Sequence, residues 1–143
     1  VVAMSAAFKL GDGIADKYKL FRRGNAASAA LVFKVDKDEE TVVLDEEYPD
    51  MTPEDLQDEL SDSTPRWILW SVKIERDDGR VQFPLLLLFF SPESCNQRMK
   101  MLYSSCTPFI AQTLDITKVH ALKDLEDMTF DKLKEFHAAS VTR

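Results

Sequence analysis

LLLLFFSPESCNQRMKMLYSSCTPFIAQTL, Leu85–Leu114, runs an apolar segment straight into a long amphipathic one, and the rest of the chain can be arranged around that junction. Leu85–Phe90 is apolar on both faces, the pattern of a central strand covered by helices on either side. Ser91 is a good N-cap and Pro92 suits a first helical position, where its missing N–H is not needed. Apolar side chains then recur at Cys95, Met99, Leu102, Tyr103, Cys106, Phe109, Ile110 and Leu114, one face of a helix and therefore core. Pointing away from that stripe are Gln97, Met101, Ser104, Ser105 and Pro108, with Arg98 and Lys100 on the flanks. Pro108 removes the bond to the Ser104 carbonyl and is expected to bend the rod, which should be better formed from about Asn96 than from Pro92. Met101, a flexible apolar side chain between two cations, marks a ridge suited to contact with another protein.

Working outward, Arg66–Arg76 and Arg80–Phe90 read as the two longest strands, joined by the turn signal Asp77-Asp78-Gly79. Pro84 within the second predicts a bulge or a change of register. Upstream, Leu10, Ile14, Tyr18 and Phe21 at helical spacing predict a first helix from near Asp12, with Lys17, Lys19, Arg22 and Arg23 toward its C-terminal end and Gly24-Asn25 stopping it. Ser28–Val35 and Thr41–Tyr48 form a hairpin across a polar turn. Thr52-Pro53-Glu54-Asp55 opens a short acidic helix to about Leu60 with Leu56 and Leu60 inward. Thr117–Lys123 alternates as a short strand, and Thr129 caps a last helix with Phe130, Leu133, Phe136 and His137 turned inward. The order predicts an α+β domain: a mixed five-stranded sheet sandwiched between helices.

The length of 143 residues suits one domain with a real core, taken as residues 4–143, with Val1–Ala3 read as a cloning scar or extension. The longest apolar run, Phe83–Phe90, contains Pro84 and is far shorter than the roughly 20 residues of a membrane span. The two cysteines lie on one helix about 16 Å apart, beyond disulfide reach, so they read as core thiols of a reducing, cytosolic compartment. The net charge of −7 is uneven: 13 acids and one base lie between Asp36 and Asp62, leaving 12 acids and 17 bases elsewhere. An acidic edge and overall acidity argue against nucleic acid as the partner. With two histidines, and glycines only at 11, 13, 24 and 79, no metal set, phosphate loop or nucleophile–base pair stands out. The expectation is a non-enzymatic interaction protein without cofactor or metal. Its candidate surfaces are the Met101 ridge, the Asp77–Arg80 hairpin tip and the basic end of the first helix.

LLFFSPESCNQRMKMLYSSC resembles the actin-depolymerising factor homology domain, in which a strand ending in Ser-Pro leads to a helix carrying basic-x-Lys-Met-x-Tyr-small-Ser, here Arg98–Ser105. Within that family VDKDEETVVLDEEYPDMTPEDLQDEL, TPRWILWSVKIERDDGRVQFPL and LDITKVHALKDLEDMTFDKL are similar to the glia maturation factors, with Asp77-Asp78-Gly79-Arg80-Val81 the most specific short marker. The resemblance implies the actin-depolymerising factor homology (gelsolin-like) fold. It also implies binding to the actin-related protein 2/3 complex, debranching of actin filament junctions and inhibition of branch nucleation. By resemblance, Gln97, Arg98, Lys100, Met101, Ser104 and Ser105 of the long helix contact the partner. Met4 and Ser5 at the N-terminus, and Asp124, Glu126 and Asp127 in the loop before the last helix, join them. Arg76, Asp77, Asp78 and Arg80 form a second face toward an actin subunit at the branch junction. The implied state is a monomer of the cytoplasmic, cortical actin cytoskeleton, with the nucleus a second compartment. The alternative is a cofilin-type filament-binding and severing protein, against which the mixed charge of the hairpin tip weighs.

Overall fold

The computed structural model describes residues 9–11, 13–24, 27–36, 38, 41–116 and 118–141. The sheet is built on β2 (Ser28–Asp36), β3 (Thr41–Tyr48), β4 (Arg66–Val72), β7 (Leu85–Phe90) and β8 (Val119–Leu122). These five principal strands lie in the order β3-β2-β4-β7-β8, and the two-residue β1 (Lys9–Leu10) adds to the β3 edge. Both outer pairs, β1 with β3 and β7 with β8, are parallel, whereas the inner pairs are antiparallel. The mixed sheet of the sequence reading is therefore present.

Strand alternation sorts the central side chains into two cores. Leu31, Phe33, Trp67, Leu69 and Leu87 face α1 (Ile14–Arg23) and α3 (Gln97–Thr113). Val32, Ile68, Trp70, Leu86, Leu88 and Phe90 face the other way, toward α2 (Pro53–Leu56) and α4 (Phe130–Val141). With both faces covered, β4 and β7 have no reason to alternate polar with apolar, which is why their sequences are almost continuously hydrophobic. The acids of the 36–62 segment are partly structural. Asp45, the extra residue where the β2–β3 register shifts, binds Arg66 Nε at 3.1 Å and Lys34 Nζ at 3.4 Å. Glu54 Oε2 accepts from Phe130 N at 2.9 Å, placing a carboxylate at the positive end of α4.

Several boundaries differ from the expectation. The long helix starts at Gln97, in keeping with the rod expected to be better formed from about Asn96, and the N-cap is Asn96 where Ser91 was expected: the Asn96 side chain accepts from Met99 N at 2.8 Å, while Ser91 N donates to the Leu122 carbonyl at 2.9 Å. Ser91 directly follows the end of β7 and does not cap the helix. The two long strands are each interrupted, β4 giving way at Lys73 to β5 (Ile74–Glu75) and β7 being preceded, across Phe83-Pro84, by β6 (Val81–Gln82). Pro84 has no N–H to add to the ladder, yet it brings neither bulge nor slip, since Ser71 faces Leu85 and Ile74 faces Gln82 in one continuous register. The α2 helix closes at Leu56 and continues as turns, with Leu60 half-buried as expected. Leu10 lies in β1 and not on the helical stripe, and Gly24 caps α1 in an extended conformation.

Both core tryptophans are fully buried, but they differ in one hydrogen bond. Trp67 Nε1 donates to Thr107 Oγ1 at 3.0 Å, whereas Trp70 Nε1 has no partner among the described residues. Replacing either by Phe removes similar volume, so the difference reports the Trp67 indole N–H together with its stacking on Tyr103 and Phe89. Trp67→Phe is expected to cost roughly 1 kcal/mol more than Trp70→Phe in urea unfolding. Equal costs would show that the Thr107 bond and the stacking together contribute nothing.

Candidate protein-interaction site

The outer face of α3 is fixed by what its inner face grips. Tyr103 stacks on Trp67 with ring centroids 4.7 Å apart, and its hydroxyl accepts from Val35 N at 3.0 Å. Cys106, Ile110 and Leu114 continue the buried stripe. That grip turns Gln97, Arg98, Ser104 and Pro108 to solvent and leaves Met101 65% exposed. Lys100 and Ser105 are half-buried, and the Ser105 hydroxyl donates to the Leu102 carbonyl at 2.9 Å. The Met101 ridge inferred from helical spacing is therefore a physical ridge.

Its electrostatics are unusual within this protein. The first turns of α1, α2 and α4 each hold an acid, Asp16, Glu54 with Asp55, and Asp131. The first turn of α3 holds none and carries Arg98 and Lys100, neither of which forms an ion pair among the described residues. Two cations at a positive helix end oppose the macrodipole. An acidic group from outside would relieve both.

The lead-in to α3 and the loop before α4 meet at one end of the sheet. Ser91 N bonds Leu122 O, Lys123 Nζ lies 3.7 Å from Glu93 Oε1, and Ser94 Oγ donates to Asp62 O at 3.3 Å. Asp124, Glu126 and Asp127 are exposed around a 3₁₀ turn, Leu125–Asp127, and Gln57 Nε2 secures that turn by donating to Met128 O at 2.7 Å. Beside it opens a groove of about 840 Å³ whose acidic lining, Asp58 and Asp62 with Asp124 and Glu126, the sequence reading did not assemble. Only the tertiary fold places the two stretches side by side. Met4 and Ser5 lie outside the described residues.

Arg76, Asp77, Asp78 and Arg80 are not part of this end. They sit on the tip of the β5–β6 arm, and ten residues of strand from Arg66 to Arg76 at about 3.3 Å each put them roughly 33 Å away. The tip is a tight turn in which Gly79, with φ 89°, donates to Arg76 O at 2.9 Å and Arg76 N donates to Arg80 O at 2.7 Å. Arg80 Nε pairs with Asp78 Oδ2 at 2.7 Å, and Gln82 Oε1 ties the arm to His137 Nε2 of α4 at 3.2 Å. All four predicted tip residues are exposed.

The titratable side chains in the interior are packing groups. Burial pushes the Cys106 thiol up to about 12, so it stays protonated at neutral pH. His120 is buried and stacked on Phe136 with centroids 4.4 Å apart. Among the described residues no cluster of His, Cys, Asp or Glu could hold a metal ion, and no helix is long and apolar enough to cross a membrane.

Residues 7–136 match the model of cofilin/tropomyosin-type actin-binding proteins. The chain is 39% identical over 127 residues to mouse glia maturation factor beta, covering 88% of this chain and 89% of that one. The chain belongs to the glia maturation factors of the cofilin-type family. It is accordingly an actin-related regulator. The solution structure of glia maturation factor from Caenorhabditis elegans superimposes with a TM-score of 0.76 at 25% identity, covering 89% of this chain and 93% of that one. The crystal structure of Streptomyces griseoflavus cofilin gives a TM-score of 0.79 at 16% identity over 92% of this chain and 98% of that one, a likeness of fold. The family's fold is thus carried here with the Met101 ridge on its longest helix.

Both histidines titrate below the ordinary imidazole range, His120 through burial and then Lys118, His137 through burial and then Arg76. Each therefore binds protons less readily folded than unfolded. Their contribution to stability is full above the unfolded value near 6.5 and falls as pH drops through it. The urea midpoint is expected to be lower at pH 5.5 than at pH 7.5, and His120→Phe, which keeps the stack on Phe136, should shrink the difference. An unchanged difference would remove His120 from the account.

Proposed function

We propose that this chain binds the actin-related protein 2/3 complex, dissociates branched actin filament junctions and inhibits new branch nucleation. The observation that carries the reading is the α3 ridge: Met101 held out at 65% exposure, beside Arg98 and Lys100, which pair with no acid among the described residues. An actin-like partner with an apolar cleft rimmed by carboxylates would satisfy all three groups at once. Gln97, Ser104 and Ser105 extend the contact along the helix, and Asp124, Glu126 and Asp127 add to it at the adjoining loop. Met4 and Ser5 complete the surface in this reading. The protein acts as a monomer in the cytoplasmic, cortical actin network.

Arg76, Asp77, Asp78 and Arg80 form the second face, directed at the actin subunit of the branch. Separation of the tip from the ridge by about the length of the sheet lets one molecule touch two partners. Pairing of Arg80 with Asp78 leaves a tip of mixed charge, which favours this role over cofilin-type binding along filament sides.

Arg98→Ala with Lys100→Ala is expected to weaken binding to the purified complex at least tenfold, a loss of about 1.4 kcal/mol or more, without lowering the melting temperature. Retained affinity would overturn the ridge assignment, and preferential capture of bare filaments in a parallel pull-down would favour the cofilin-type reading. Arg80→Glu should reduce debranching while leaving affinity for the complex nearly intact. Equal loss of both activities would rule out two separate faces.

A further inference from the structure

Three consecutive carbonyls of α3, those of Leu102, Tyr103 and Ser104, are unequally provided with donors. Leu102 O accepts from the Ser105 hydroxyl at 2.9 Å and Tyr103 O from the Thr107 hydroxyl at 2.9 Å, each in addition to the N–H that helix geometry supplies four residues on. Ser104 O has neither. Its helical donor would be residue 108, and Pro108 carries no N–H. The helix nevertheless runs unbroken from Gln97 through Pro108 to Thr113. The Ser104 carbonyl therefore keeps its helical direction with no α-helical donor in front of it.

That gap opens on the ridge. Ser104 and Pro108 are both exposed, and exposed Met101 precedes Ser104 by one turn on the same face. The proline ring fills no core there. Tyr103, Cys106, Ile110 and Leu114 carry the buried stripe, and Thr107 Oγ1 is committed to the sheet side, where it accepts from Trp67 Nε1 at 3.0 Å. Packing therefore does not account for a proline in a helix interior, where that residue is least favourable. What it does on the outer face is keep one backbone acceptor open. Arg98 and Lys100 lie roughly 6–9 Å back along the axis toward the N-terminus. Read along the rod, the ridge presents two cations, an apolar side chain and then an acceptor.

We propose that the Ser104 carbonyl oxygen is a further partner-binding atom of the α3 ridge, accepting a hydrogen bond from an N–H or O–H of the bound partner. This role rests on the reading of the ridge as the contact with the actin-related protein 2/3 complex, and it adds a direction to that contact. A partner docked one way meets Arg98 and Lys100 with carboxylates and Ser104 O with a donor. Docked end for end, it would set a carboxylate against the carbonyl and turn its donor toward the cations, so the open carbonyl discriminates between the two orientations. In the free protein solvent supplies the donor, and on binding the partner's N–H or O–H takes its place.

The test exchanges the group at position 108 in the full chain and titrates each form with the purified actin-related protein 2/3 complex. Pro108→Ala and Pro108→Gly restore an N–H, which then donates to Ser104 O inside the helix. Lactic acid at position 108, introduced by cell-free translation, gives an ester with the methyl group of alanine but no N–H, so Ser104 O stays open. Both N–H variants should bind about fivefold or more weakly than wild type, and the ester form within about twofold of it. Pro108→Ala should lose affinity even though its melting temperature rises. Agreement between the alanine and glycine variants, whose helix propensities differ, separates the N–H from helix stiffness. Wild-type affinity in Pro108→Ala or Pro108→Gly, or an equal loss in the ester form, would overturn the role of Ser104 O. In that event a continued loss in Arg98→Ala with Lys100→Ala leaves the ridge reading standing, and no loss there removes the ridge reading as well.

Discussion

Which side chains the longest helix turns to solvent depends on how α3 is rolled about its axis, and Trp67 decides that roll. Its indole is stacked against Tyr103 at 4.7 Å and Phe89 at 5.9 Å, and its N–H donates to Thr107 one turn further along the helix. Tyr103 in turn reaches past the end of the β2–β4 ladder to Val35 N. Strand, helix and neighbouring strand are thereby locked at three points with defined geometry, not by apolar contact alone. Turning α3 by one residue, about 100°, would carry Arg98 or Lys100 toward the aromatic cluster. An unpaired charge buried there costs several kcal/mol. The ridge is rigid because the alternative is expensive.

This dependence explains which features could be read from the chain. The stripe from Met99 to Leu114 is a property of helical geometry, and it placed Met101, Ser104 and Pro108 outside without reference to the rest of the fold. Thr52 and Thr129 were legible as caps for the same reason, since each acts within its own first turn. The end of the lead-in was not, because Ser91 N is held to the carbonyl of Leu122, a residue remote in sequence, and the helix opens only at Asn96, whose side chain caps it. Nor does the sequence disclose that the largely apolar stretch from Val81 to Phe90 changes its role at Pro84. Leu85–Phe90 is sandwiched between two helical layers, while Val81 and Phe83 project beyond both. Burial on that side ends with the helices, not with the hydrophobicity. The two-residue β1 and the Asp45 bulge likewise exist only through pairing with distant strands.

The acidic segment between Asp36 and Asp62 shows the same division between local and tertiary causes. As composition it is a uniform rim. In the fold it separates into carboxylates with structural tasks and carboxylates without. Asp45 joins Lys34 to Arg66, Glu47 holds Lys17 of α1, and Glu54 stabilises the start of α4. Asp58 and Asp62 instead line the groove beside the α4 loop together with Asp124 and Glu126. Charge density alone could not have distinguished the two groups, because what separates them is the position of basic and backbone partners from other elements.

In the first turn of α3 local charge runs against the helix dipole. A chain selected only for stability would put an acid there, as α1, α2 and α4 do. The penalty for cations at an exposed helix start is only about 0.3–1 kcal/mol each, small against the packing energy of the Trp67 cluster, so α3 tolerates Arg98 and Lys100 without fraying. That inequality allows a binding surface to be built on a structural helix. The inner stripe holds the rod in place strongly enough that its outer face need not contribute to folding, and on the proposed reading the unfavourable local charge would become binding free energy once an acidic partner neutralised it. Exposed Met101 fits the same proposed logic, in which its burial would be deferred from folding to association. In the proposed interface the cost to the free protein and the gain on binding would arise from the same three side chains, so a ridge that looks like a defect of the isolated helix would be coherent there.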